Sequence, residues 1–228
     1  MPAPALLYVT QVAPYLDGPA GVHGVLDQSA AAVAELAEIA GLTFERATDV
    51  RELQPSSIAS ARVIALFTIG ETPWSAEQQR ALLGNVRDGR TGVLAIHSAT
   101  DSCHGWDEFG VLVGARFAGH PWTRSFTLDV IDPSHPAVSH LGETWSWHDE
   151  VYQFRGLRPD AQVLLRARAD ELGTDPAVEH PFAWCFTEGA GRAFYTALGH
   201  FPGAWETPDY LRHLAGGLDW VIGDTARP

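Results

Sequence analysis

Apolar positions in the first half of the chain alternate between short unbroken runs and stretches with helical spacing. Ala5–Thr10 is apolar and rich in strand-forming residues, and it predicts a first strand. Gln11–Gly24 reads as a Gly- and Pro-rich loop that carries His23. Asp27 is placed to cap a helix with Val33, Leu36, Ala37 and Ala40 on one face and Gly41 at its end. Thr43–Ala47 predicts a second strand and Arg62–Thr68 a third. The near-continuous Val-Ile-Ala-Leu-Phe run of the third suits a strand covered on both faces. Ser75 and Gln78 have the spacing of a capping box. The helix that follows has Leu82, Leu83 and Val86 on its apolar face and stops at Gly89. A fourth apolar run, Thr91–Ile96, then delivers His97 into the polar stretch Ser98-Ala99-Thr100-Asp101-Ser102.

Strands separated by helices of this length imply right-handed βαβ units and a parallel sheet. The second half is richer in strands. Phe126–Ile131, Val163–Ala167, Ala183–Thr187 and Arg192–Leu198 all read as extended, with Gly189 and Gly191 turning the chain between the last two. A terminal helix presents Leu211, Leu214, Leu218 and Val221 on one face. With no internal repeat, low-complexity tract or linker, residues 1–228 read as one α/β domain.

Composition narrows the function. The chain has 228 residues, 46% of them hydrophobic, which is enough to build a core without staples. A net charge of -13 argues against nucleic-acid and anionic-membrane partners, which require a basic patch. Two cysteines, Cys103 and Cys185, argue against a disulfide framework and suit a reducing compartment. Met1-Pro2-Ala3-Pro4 has no positive n-region, and no window approaches ~18 consecutive apolar residues. The expected location is therefore cytoplasmic.

The chemistry gathers on histidines. His97 ends one strand, and Ala193–Leu198 runs into Gly199-His200 at the end of another. Open α/β sheets bind ligands outside the carboxyl ends of their strands, so both residues are site candidates. Gly119-His120-Pro121-Trp122 and Trp147-His148-Asp149-Glu150-Val151-Tyr152 add imidazoles and an acidic pair among aromatics. Such groups bind divalent metals and move protons near neutral pH. Trp106, Trp122, Trp145, Trp147, Trp184 and Trp205 are candidate platforms for sugar rings, although a core role is the commoner use of tryptophan. His135, His140, His180 and His213 are expected to be structural. Cys103 next to His104 reads as a loop thiol, and Cys185 between Trp184 and Phe186 as buried and inert. The glycines at 18, 21 and 24 miss the spacing of a dinucleotide loop.

Several of these elements occur together in the ThuA-like family of trehalose utilisation, which the chain resembles from Gly92 to Gly223. They are Gly92-Val93-Leu94-Ala95-Ile96-His97-Ser98-Ala99, Gly114-Ala115-Arg116-Phe117-Ala118-Gly119-His120-Pro121, His135-Pro136, Asp149-Glu150-Val151-Tyr152 and Gly189–His200. Gly21-Val22-His23-Gly24 matches more loosely, since it lacks the Asp that usually follows the His. The resemblance implies a three-layer α/β/α, flavodoxin-like domain of the class I glutamine amidotransferase type, with a mostly parallel central sheet. His97 then stands where those enzymes carry a nucleophilic Cys. An imidazole cannot form their thioester, so glutaminase chemistry is not expected.

The resemblance further implies a small-molecule partner, a trehalose-related glycoside or its 3-keto derivative. The expected catalytic set is His97, Asp149, Glu150 and His200. The expected substrate contacts are His23, Asp101, Trp106, His120, Tyr152 and Trp184. His97, His120, Glu150 and His200 are the candidate ligands of a divalent metal such as zinc. A metal-dependent amide or ester hydrolase and a non-catalytic sugar-binding or regulatory module are the alternatives. A homodimer is a further expectation.

Overall fold

The structure, a computed structural model, describes residues 5–16, 24–175 and 177–223. His23 lies outside the described residues. Strands β1 (Ala5–Val12), β2 (Thr43–Ala47), β3 (Ala61–Ile69) and β4 (Gly92–Ile96) alternate with helices α1 (Leu26–Ile39), α2 (Pro55–Ser60) and α3 (Ala76–Arg87). After helix α4 (Asp107–Val113) come β5 (Arg116–Gly119), β6 (Thr123–Val130), β7 (Thr144–Glu150), β8 (Gln153–Arg155) and β9 (Gln162–Ala167). Helix α5 (Ala169–Leu172), β10 (His180–Glu188), β11 (Gly191–Thr196) and helix α6 (Pro208–Ile222) complete the chain.

Nine strands form one sheet in the order β2-β1-β3-β4-β11-β10-β9-β6-β7, and β5 pairs with β8 in a small second sheet. The first five strands of that order are mutually parallel, as the alternation of strand and helix requires. From β11 outward the pairing is antiparallel. The late strand β11 slots in beside β4 with Thr196 opposite Ile96, so the carboxyl ends of two strands distant in sequence lie side by side. Strand β4 is buried at every position, which explains its unbroken apolar run.

Local signals were mostly where they were expected. Ser75 and Gln78 form a complete capping box on α3. Helix α1, in contrast, starts at Leu26, and Asp27 lies inside its first turn rather than at the cap. Its carboxylate instead accepts from Arg46 at 2.7 Å. Strands β5, β7 and β8 are not among the strands expected from the sequence. For β7 the signal was present: Trp145, Trp147 and Asp149 are buried, and Thr144, Ser146 and His148 between them are exposed.

Helix α6 packs closely on the sheet. A Cβ at Gly217 would come 2.6 Å from the Phe194 ring, and one at Gly216 would come 2.3 Å from the Pro136 backbone. Two helix-interior glycines cost roughly 1 kcal/mol each in propensity, but only glycine admits this approach. The same helix buries His213 completely. Its Nδ1 donates to the Ala137 carbonyl at 2.9 Å, and Nε2 accepts from the Thr196 hydroxyl at 3.1 Å. Burial outweighs the Ala137 hydrogen bond and pulls the imidazole down from 6.5 to about 3.

Acid should therefore weaken the fold. Below the ordinary value of 6.5 the unfolded chain binds a proton that folded His213 refuses. Its contribution is complete above that pH and is lost as pH falls toward the folded value. Burial shifts His135 and His180 the same way. Urea unfolding at pH 6.5 and pH 5 should show a loss of roughly 2 kcal/mol, from about 1.4 kcal/mol per pH unit for one such group. Equal midpoints at the two pH values would contradict a neutral buried imidazole.

Candidate functional site

Strand β4 ends at Ile96, and the chain turns at once into a 3-10 turn, His97–Asp101. His97 has φ 48, in the left-handed region that non-glycine residues rarely adopt. That conformation costs on the order of 1–2 kcal/mol and must be held from outside. Tyr195, on neighbouring β11, donates its hydroxyl to the His97 carbonyl at 2.8 Å and meets Thr100 Oγ1 at 3.1 Å. The His97 side chain is fully buried, and its Nδ1 lies 2.7 Å from the Ala197 carbonyl. A carbonyl only accepts, so Nδ1 carries the hydrogen and Nε2 faces the other site residues.

The second histidine follows β11. Four contacts fix the segment that leads to it. Ala197 N donates to Phe182 O at 2.7 Å, and Gly199 N donates to Asp149 Oδ2 at 2.9 Å. The Tyr210 hydroxyl donates to Leu198 O at 3.1 Å, and Trp205 Nε1 donates to Gly199 O at 3.0 Å. Gly199 has φ 117, and a Cβ there would meet the Tyr210 hydroxyl at 2.4 Å. Glycine alone fits, and it sets the direction in which His200 leaves the backbone.

Strand β7 supplies the carboxylates, and the two play different parts. Asp149 is fully buried and accepts from Trp147 Nε1 at 3.0 Å, Glu150 N at 2.9 Å and Gly199 N at 2.9 Å. It ties the end of β7 to the loop before His200. Glu150 points the other way, into a cluster of imidazoles. Its Oε2 lies 3.4 Å from His97 Nε2 and 3.3 Å from His200 Nδ1, and those two nitrogens are 3.2 Å apart. Its Oε1 is 3.6 Å from His120 Nδ1. The Tyr152 hydroxyl stands 3.0 Å from His97 Nε2.

Burial alone would raise the Glu150 carboxyl. Contacts with the imidazoles of His97, His200 and His120 outweigh it and hold Glu150 below its ordinary value, as a carboxylate. Burial, and then the neighbouring His97, depress His200, which is therefore neutral near pH 7. Burial pushes Tyr152 well above its usual range, so it remains a hydroxyl.

Among the described residues, His97, Glu150 and His200 are the group whose donor atoms could hold a metal ion, all within 4.8 Å of one another. Three donors 3.2 to 3.4 Å apart form a nearly equilateral triangle. A tetrahedral ion bound at about 2.0–2.1 Å has ligand–ligand edges of roughly 3.3 Å, so two imidazoles and a carboxylate at this spacing fit zinc or a similar divalent ion. The Nδ1–H bond of His97 to a carbonyl is the outer contact that typically orients a ligating imidazole.

Other sequence candidates are placed differently. His120 stands at the exposed side, with 45% of its side chain open, and packs against Tyr152 and Phe117. Asp101 accepts from His104 at 2.9 Å, in the turn after His97. Trp106 is buried against Trp74 and Phe109. Trp184 is fully buried, donates to Val113 O at 3.0 Å and stacks on Tyr195, so it has no face to offer a sugar. Trp205 is likewise committed to the Gly199 carbonyl. Cys103 is buried, and desolvation raises its thiol while His104 turns to Asp101. Burial pushes Cys185 up to about 12. Tyr195 and Tyr210 are not legible as site residues in the sequence, because nothing local marks a buried hydroxyl as the brace of a distant turn.

A family profile described as ThuA, trehalose utilisation, matches residues 16–221. Among curated proteins none matches the chain. A protein described as ThuA-like from Bacteroides uniformis is similar in structure, with a TM-score of 0.78 and 17% identity over 98% of this chain and 94% of its own. A second, from Parabacteroides merdae, has a TM-score of 0.74 and 19% identity over 99% of this chain and 92% of its own. A Thermoplasma acidophilum protein described as a GMP synthase component is more distant, with a TM-score of 0.51 and 12% identity over 93% and 92% of the two chains. The fold is thus the amidotransferase-like α/β type expected from the sequence, with a mostly parallel central sheet flanked by helices.

The Asp149 contacts can be tested without any substrate. Asp149→Ala leaves three buried N–H donors without their acceptor and should destabilise the protein by about 2–4 kcal/mol in urea unfolding. A loss below ~0.5 kcal/mol would mean that water or another group satisfies them.

Proposed function

The chain belongs to the ThuA trehalose-utilisation family, and on that premise we propose that it transforms trehalose-related glycosides, as their 3-keto derivatives, at the His97–Glu150–His200 cluster. The observation that carries this reading is the triangle itself, a carboxylate held ionised among imidazoles at the carboxyl ends of two parallel strands. A ketone at C3 acidifies the C2 proton, and a nearby base can take it as the electron pair moves onto the carbonyl oxygen. Glu150 is the ionised group within reach of all three histidines. His120, on the exposed side, is placed to donate a proton to that oxygen.

The same three donors fit a divalent ion, held by His97 Nε2, His200 Nδ1 and a Glu150 oxygen. When bound, such an ion polarises a carbonyl and lowers the pKa of water at an open position. His120 falls outside the triangle and is then the residue left to carry the proton. Asp149 is read as a positioning residue, since three scaffold donors occupy its carboxylate. The donor triangle also suits metal-assisted hydrolysis of an amide or ester, which makes that the second reading.

The reading predicts that His97→Gln and Glu150→Gln each lower turnover of 3-keto-trehalose by about a thousandfold or more while leaving the fold intact. Turnover within threefold of the parent in both variants would remove the cluster from the chemistry. Elemental analysis of untagged protein should find about one divalent ion per chain, lost in His97→Ala. Metal-dependent turnover of amides or esters with none of keto-glycosides would favour the hydrolase.

A further inference from the structure

Beside the cluster lies a cavity of about 510 Å3 that the chemistry above does not use. Ser125, Ser146, Trp147, His148, Phe201 and Gly203 are among its lining residues. Its volume is within the usual range of small-molecule sites, roughly 300–1,000 Å3.

Two observations join this cavity to the cluster. Side chains two apart on a strand share a face, so His148 stands on the Glu150 face of β7, roughly 7 Å along it. The Phe201 ring packs edge-on against His200 at 4.6 Å and against His148 at 5.6 Å. Phe201 is thus a wall common to both spaces. Trp147 is buried and its Nε1 is bonded to Asp149, so Phe201 and His148 offer the rings and Ser125 and Ser146 the hydroxyls that a sugar needs: apolar C–H faces against rings, and hydroxyls against polar groups. Among the described residues, strand β7 is also the last strand of the sheet, so one row of its main-chain N–H and C=O groups has no strand partner there.

We propose that this cavity is a second sugar subsite, which holds the non-reacting ring of a disaccharide whose reacting ring lies at His97, Glu150 and His200. The inference rests on the glycoside reading above and adds to it the place where the second ring of the disaccharide sits. Binding energy from a remote ring is a general means of positioning the reacting one.

Gly203 offers a clean block, because a Cβ there meets nothing within 4 Å and its φ is not in the left-handed region. Calorimetric titration of the whole chain with unmodified trehalose and with glucose needs no turnover. The parent should bind trehalose at least about tenfold more tightly than glucose. Gly203→Phe should abolish that difference and leave glucose affinity unchanged. Ser146→Trp, at an exposed position on the cavity wall, should do the same, and far-UV circular dichroism with thermal midpoints checks that both variants fold. Equal affinity of the parent for the two sugars, no binding of either, or unchanged trehalose affinity in both folded variants would overturn the subsite. Preferential trehalose binding that both blocks remove, in a protein that turns over no keto-glycoside, would uphold the subsite and sink the proposed reaction instead.

Discussion

Parallel pairing of β4 with β11 sets Ile96 opposite Thr196, and the residue after each strand segment inherits that proximity. The Ala197 carbonyl then takes the Nδ1 hydrogen of His97 at 2.7 Å, and His200 arrives 3.2 Å from Nε2. The left-handed turn at His97 is held by the Tyr195 hydroxyl, on the partner strand, at its carbonyl and by the Ala197 carbonyl at its ring. Register, tautomer and ring orientation are therefore consequences of one strand pairing. A slip of one residue would reverse the face of every β11 side chain and dissolve the cluster.

The antiparallel half of the sheet provides what the parallel half lacks, which is a carboxylate. Asp149 and Glu150 are adjacent and point to opposite faces of β7, and burial gives them separate tasks. Asp149 meets three N–H donors and anchors β7 to the loop before His200. Glu150 meets imidazoles, and contact with them more than offsets the cost of burying its charge. Polar groups elsewhere in the core obey the same accounting with a different outcome. His213 has a carbonyl and a hydroxyl as partners but no carboxylate, and it remains neutral well into the acid range.

The relatives of known structure share this fold at 12% to 19% identity, and at such distances fold says little about chemistry. The chemistry lies in the residue at the sharp turn after β4. An imidazole there, bonded backward to a carbonyl and forward to a second imidazole and a carboxylate, is arranged for ligation and proton transfer rather than for covalent attack.

Much of this was legible in the sequence. The alternation of strand and helix, the doubly covered third and fourth strands, the capping box at Ser75 and the strand-end positions of His97 and His200 are all local patterns, set by side-chain periodicity and backbone preference. Composition and motif order sufficed to bring Glu150, His120 and Tyr152 into consideration with them. Tertiary structure alone decided which of two adjacent carboxylates meets the imidazoles, because that depends on which face of β7 lies toward His97 and His200 and which toward Gly199. It also decided that Trp184 is core, that Tyr195 braces the turn, and that Phe201 lines a cavity while its ring packs on His200. A residue's own neighbours in sequence specify its backbone state. Burial, ionisation and the partner of a hydrogen bond are set by residues fifty or a hundred positions away, and only the folded chain brings those together.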